Sequence, residues 1–327
     1  MFSEYPIPTS DSKPSLIVSG PDGALWFTED SGNRIGRISV AGEVREFLVP
    51  TPGARPLGIV TGPDGALWFT EFAADKIGRI TTSGVVTEFP IPTSDSRPFA
   101  ITVGPDGQLW FTDGSQHVVR MTLAGLMTEF YIPSTSLGDI TLGQDGNLWF
   151  TDPNISNTIS RLTPAGVLTQ FPVPTPTSGP YWITAGGDGA LWFTESLGNG
   201  KIGRISTAGV FSEFPLAIPG SGPTVITAGP DGNLWFTEIN SHKIGRITLT
   251  GTITAFPTPS ADMFPFGISS GPDGRIWFTD FLGDRIGAFG PVAPSQPVPL
   301  LSPSALILLG TLLAIAGAGL ALRVRSL

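Results

Sequence analysis

The 327-residue chain carries 42 glycines, 32 prolines, 14% charged and 10% aromatic residues, a turn-rich composition that excludes the disordered and helical classes. Its formal charge of −9, with no compensating Lys/Arg cluster, excludes nucleic acid as the expected partner, because phosphate binding needs a basic surface. Zero cysteines exclude disulfides and thiolate metal sites and leave the compartment open.

The chain opens on Phe2-Ser3-Glu4-Tyr5-Pro6-Ile7-Pro8-Thr9, which reads as a strand closed by prolines, with no hairpin partner before it. A four-residue word, Trp-Phe-Thr-(Glu/Asp), then recurs at residues 26–29, 68–71, 110–113, 149–152, 192–195, 235–238 and 277–280. Its tryptophans stand 42, 42, 39, 43, 43 and 42 residues apart. A period in this range, built from short strands, predicts an all-β, seven-bladed β-propeller with four-stranded blades.

Residues 54–93 show one unit in full. The apolar run Pro56-Leu57-Gly58-Ile59-Val60 suits an inner strand, and Gly62-Pro63-Asp64-Gly65 then turns the chain, because Asp-Gly between apolar runs is a hairpin signal. Residues 66–70 form a second strand rich in aromatic and β-branched residues, residues 76–81 a third, and residues 85–89 a fourth. Prolines end the fourth strand, which places it at the outer edge where a missing amide donor is tolerated. The seventh unit has inner strands at residues 266–268, 275–279 and 285–289 but no fourth. The orphan strand at the N-terminus supplies it. Ser3 to Tyr5 are expected to pair with residues 286–289, which closes the ring and removes an open edge. Residues 1–290 are thus read as one propeller, expected to be monomeric.

After Gly290 the repeat stops. Residues 291–304 are Pro-rich and read as an extended linker. Residues 305–322 carry no charge and are followed by Arg323 and Arg325, which predicts a transmembrane anchor over residues 305–327 with a cytoplasmic C-terminus. The propeller is accordingly expected to be exported and held at the membrane, cell surface or periplasm. Residues 1–10 have no basic start and no apolar core, so they are not a signal peptide, and an upstream segment is expected.

A residue present in every blade belongs to the scaffold, so chemistry is sought where blades differ. The seven acids Glu29, Glu71, Asp113, Asp152, Glu195, Glu238 and Asp280 are expected to pair with the third-strand basic residues Arg37, Arg79, Arg120, Arg161, Arg204 and Arg246, with Ala288 leaving Asp280 alone. A carboxylate ring holding a hard cation is the lesser alternative. The Asp-Gly turns are read as turns and not as calcium loops. His117 and His242 lie in loops three blades apart and do not converge as a metal site needs. No metal site is expected from the residues themselves. What varies is aromatic: Phe99, Tyr181, Trp182, Phe266 and Phe281 cluster at strand mouths, with an odd Asp139 and an unusual Asp152-Pro153-Asn154 loop in the fourth blade. Concave apolar surfaces with a few polar groups are ligand sites, and aromatic faces suit sugars and peptides. Phe99, Asp139, Tyr181, Trp182, Phe266 and Asp280 are the candidates for binding an unidentified small molecule, glycan or peptide.

The repeat wording, Gly62-Pro63-Asp64-Gly65-Ala66-Leu67-Trp68-Phe69-Thr70-Glu71, then Lys76-Ile77-Gly78-Arg79-Ile80-Thr81, then Thr87-Glu88-Phe89-Pro90-Ile91-Pro92-Thr93, resembles the virginiamycin B lyase (streptogramin B lyase) family across residues 2–289. The resemblance implies a seven-bladed propeller. It also implies a carbon–oxygen lyase that opens a cyclic depsipeptide antibiotic at its ester by elimination, assisted by Mg²⁺, and so confers resistance. In that family activity rests on histidines that follow a proline at the mouth of an inner strand, with glutamate partners. An elimination needs a base, an acid for the leaving group and a cation for the developing charge. Here the seven mouth positions are Ser15, Leu57, Phe99, Gly138, Tyr181, Thr224 and Phe266. The family's first histidine falls on Thr224, its glutamate and second histidine on Phe264 and Phe266, and its loop glutamate on Phe281. No Pro-His pair occurs anywhere. The expectation is a lyase-like propeller that binds a ligand or partner without the catalytic residues; the alternative is the lyase itself, with Mg²⁺ as cofactor. The tail, Val298-Pro299-Leu300-Leu301-Ser302-Pro303 through Arg323-Val324-Arg325, resembles an IPTL-type C-terminal sorting segment, with Leu300 where the motif has Thr, and this implies processing or anchoring at the cell envelope.

Overall fold

The computed structural model describes residues 2–134, 136–154 and 156–290. Within them the chain forms seven four-stranded antiparallel sheets. In the second blade these are Pro56–Thr61, Leu67–Glu71, Lys76–Ile80 and Val86–Pro90. Gly65, at φ 72°, makes the left-handed step of the first hairpin, which a side chain would strain. The expected closure is present: Phe2–Pro6 pairs with Arg285–Phe289, in the register Ser3↔Ala288, Glu4↔Gly287 and Tyr5↔Ile286. The linker and transmembrane expectations for residues 291–327 lie outside the described residues. No helix among the described residues is long and apolar enough to cross a membrane.

Each blade is built on its tryptophan. Trp26 is fully buried and stacks on Phe47 of the fourth strand, with centroids 5.6 Å apart and planes 16° from parallel. In the closing blade the orphan strand brings its own ring, and Tyr5 stacks on Trp277 at 5.5 Å. The Asp of the Asp-Gly turn does more than turn the chain. Asp22 Oδ1 accepts the Trp26 indole N–H at 3.0 Å, and Oδ2 takes the Arg37 guanidinium at 2.7 Å. The same arginine lies 6.0 Å over the Trp26 ring, an arrangement favoured by the ring quadrupole. Blade seven has Ala288 at the arginine's place, and Arg275 replaces it from within the hairpin: it pairs with Asp273 at 2.5 Å and lies 4.5 Å over Trp277.

The expected pairing of the second-strand acids with these arginines is therefore wrong, and register gives the reason. Trp26 faces Arg37 across the ladder, whereas Glu29 faces Arg34; the arginine lies three residues away from the acid and is held by the turn aspartate instead. Glu71 faces Lys76, but Lys76 reaches Glu88 at 2.9 Å. Asp280, expected to lack such a partner, is paired with an arginine. It faces Arg285 and receives its guanidinium at 2.7 Å.

The threonine of the repeated word explains its own repetition. In all seven blades its hydroxyl donates to a carbonyl of the next blade, at 2.7 to 3.0 Å. The acceptors are Leu57, Phe99, Gly138, Tyr181, Thr224, Phe266 and Ser15, the seven mouth residues. The same oxygen accepts the amide N–H one residue past its own blade's mouth position, at 2.8 to 3.3 Å. A closed circuit of side-chain hydrogen bonds thus fixes the mouth backbone, each bond contributing roughly 1 kcal/mol.

Candidate functional site

The mouth face is uneven because two inner strands are short. Those of blades three and four are Ile101–Val103 and Ile140–Leu142, three residues each, against six in Pro180–Ala185 of blade five. Over this shortened sector lies a basin of about 550 Å³, walled by Phe72, Phe99, Leu137, Pro153, Tyr181 and Leu197, with Arg97 at its rim. Its floor includes Gly138. A Cβ there would fall 2.3 Å from Thr151 Oγ1, the same oxygen that donates to the Tyr181 carbonyl at 2.7 Å. The floor thus stays open for a steric reason independent of any ligand.

The blade-specific aromatics touch one another in a chain across the mouth. Phe281 meets Phe266 at 5.5 Å, Phe266 meets Trp182 at 5.8 Å, and Trp182 meets Phe99 at 5.6 Å and Tyr181 at 4.8 Å. Trp182 is only 4% exposed and joins the two ends. Phe99 and Tyr181 face the basin directly.

Asp139 occupies the place in blade four that Trp182 occupies in blade five, one residue past the mouth, and lines the narrow central channel. Its Oδ2 accepts the Ile183 amide at 3.0 Å. Burial pushes its carboxyl up to about 7, and the Tyr181 phenol is raised by burial and by the Asp139 charge. Asp280, the remaining candidate, is not brought to the basin. It is wholly buried, pinned by Arg285 and by the Phe264 amide at 2.9 Å.

Neither histidine stands free at the mouth. His242 Nδ1 lies 2.5 Å from the Met263 carbonyl, and its ring packs edge-on to Phe264 at 5.2 Å. His117 begins a third strand, where its amide donates to Asp113 at 2.7 Å, and Asp113 also takes the Ser115 hydroxyl at 2.6 Å. At the four positions where the resemblance asks for two histidines and two glutamates, the Thr224 hydroxyl donates to the Gly222 carbonyl at 3.0 Å, and Phe264, Phe266 and Phe281 present phenyl rings. These groups do not fit Mg²⁺, which takes oxygen ligands in a near-octahedral set. Among the described residues no three His, Cys, Asp or Glu side chains are grouped to hold a metal ion.

Buried carboxyls lie instead beneath the mouth. The Glu29 and Glu71 oxygens accept no hydrogen bond among the described residues. Burial, with Glu46 beside one and Glu88 beside the other, pushes Glu29 up to about 9 and Glu71 up to about 8. Glu195 rises to about 7 by burial and by Glu213.

Sequence reasoning missed Phe72, Leu137, Leu197 and above all Arg97. A signal was available: Arg97 precedes the mouth proline of its blade as Arg55 does in the blade before, and Phe72 follows its second-strand acid as Asp30 does.

A model of the virginiamycin B lyase family matches residues 1–139 and 136–305. Selenomethionine-substituted virginiamycin B lyase from Staphylococcus aureus superposes with a TM-score of 0.84 at 41% identity, over 88% of this chain and 98% of that one. A catalytically inactive histidine-to-alanine variant of the Staphylococcus aureus lyase with quinupristin gives 0.83 at 41%, over 88% and 98%. The virginiamycin B lyase of Bordetella pertussis is 46% identical over 46 residues, a segment spanning 14% of this chain and 15% of that protein.

Proposed function

Because the chain belongs to the virginiamycin B lyase family, we propose that it keeps the family's propeller as a small-molecule-binding mouth and has no streptogramin lyase activity. One observation carries this reading: Thr224, Phe264, Phe266 and Phe281 stand where the family resemblance asks for histidine and glutamate. A hydroxyl already donated to a carbonyl and three phenyl rings cannot take a proton next to a carbonyl, return one to a leaving group or hold a cation. Binding is supported by the basin and the aromatic chain beside it, since apolar concavities with few polar groups are where ligands are held. Display at the cell envelope is part of the same proposal and rests on sequence alone, on the uncharged residues 305–322 followed by Arg323 and Arg325.

The test is incubation of the chain with virginiamycin B and Mg²⁺, followed by mass and retention analysis of the antibiotic. The cyclic compound is expected to be recovered intact. Enzyme-dependent appearance of the linear product overturns the proposal.

A further inference from the structure

We propose that the basin over the third and fourth blades takes an organic carboxylate with a flat apolar body, its anion held by Arg97. This rests on the binding reading above and adds the chemical class of the ligand.

Two arginines in equivalent places make the argument. Arg55 precedes the mouth proline of blade two, has φ 54°, and forks onto the Asp30 carboxylate at 2.7 and 2.9 Å. Its outer side lies 5.3 Å over the Phe72 ring. Arg97 precedes the mouth proline of blade three, with φ 44°. The residue that would supply its carboxylate, one place past the second-strand acid, is Phe72. Arg97 is exposed and makes no ion pair among the described residues, while the carboxylates of Asp75 and Asp113 are engaged. Asp75 accepts the amides of Asp95 and Arg97 at 3.0 and 2.9 Å; Asp113 accepts from Ser115 and His117.

The same exchange that removes the counter-charge builds the apolar wall. Phe72 joins Phe99, Leu137, Tyr181 and Leu197 around the basin. Gly114 lets the Arg97 side chain lie close, since a Cβ there would meet Arg97 Cβ at 3.3 Å. In a protein of net charge −9, an unmatched guanidinium at the rim of an apolar basin is complementary to an apolar anion. Its planar fork matches a carboxylate in two parallel hydrogen bonds, and a volume of about 550 Å³ is within the range of small-molecule clefts.

The test compares 2-naphthoate with its neutral counterpart 2-naphthamide, by equilibrium dialysis against the full chain, Arg97→Gln and Leu197→Ser. Wild type is expected to bind naphthoate roughly tenfold or more tighter than naphthamide, the scale of one charge-assisted hydrogen-bond pair. Arg97→Gln should erase that preference by weakening naphthoate far more than naphthamide, while Leu197→Ser, at an exposed wall position, should weaken both probes. Equal wild-type affinities, or a preference that survives Arg97→Gln, overturn the anion assignment and leave the binding mouth standing. Failure of both probes to bind overturns the binding mouth as well.

Discussion

Glu71 offers a measurement whose sign is fixed by the structure. It is fully buried, its oxygens accept no hydrogen bond among the described residues, and the one lysine opposite it is taken by Glu88 at 2.9 Å. Burial raises its carboxyl from 4.5 to about 8. A carboxyl raised on folding leaves the native state binding more protons than the unfolded one, so its contribution is fully present below pH 4.5 and is lost as pH climbs to about 8. At pH 7 the loss is on the order of 3 kcal/mol, from a shift of about 2.5 units within that window at about 1.4 kcal/mol each. Glu71→Gln keeps the shape and removes the titration. The variant should match the wild type near pH 4.5 and gain on it steadily toward pH 8, reaching roughly 6 °C in melting temperature at pH 7 if each kcal/mol moves a domain of this size by about 2 °C. Thermal melts of both proteins from pH 4.5 to 9 test this. A difference that does not change with pH refutes the reasoning, because it means that Glu71 finds a partner for its charge.

Two further outcomes follow from the ring. Thr70→Val removes the hydroxyl that donates to the Phe99 carbonyl at 3.0 Å and accepts the Gly58 amide at 2.8 Å, leaving two buried groups unmatched. Denaturant titration should show a loss of about 2 to 4 kcal/mol, and Thr70→Ser should recover much of it. Removing residues 1–10 strips the outer strand from the closing blade and uncovers Trp277, so the melting temperature should fall clearly; an unchanged melt would mean that the ring does not depend on this strand.

Much of the architecture was legible because it is written seven times. The tryptophan period set the blade count, and the orphan strand at Phe2 announced the closure; that its Tyr5 supplies the ring completing the seventh core was not read there. The acids were misread because charge complementarity was judged without counting along the ladder. Residues facing each other in an antiparallel pair sum to a constant, and Trp26 with Arg37 sums like Glu29 with Arg34; that count alone places the guanidinium beside the indole and away from the acid. At the mouth, the aromatic members were visible because they break the repeat with large side chains. Arg97 was not, because it conforms: it repeats Arg55, and what differs is its partner in the preceding blade. A missing counter-charge is a property of two distant positions, and only their placement side by side exposes it.

The threonine circuit has a consequence for how such a mouth can change. Each hydroxyl grips the carbonyl of a mouth residue and, at every position but Gly138, where a Cβ would strike Thr151 Oγ1, leaves the side chain of that residue open. The seven positions therefore act as sockets whose mounting is separate from their contents. Serine, leucine, phenylalanine, glycine, tyrosine and threonine all sit in them on the same backbone bond. A histidine could be exchanged for a phenyl group in such a ring with the blades still closed.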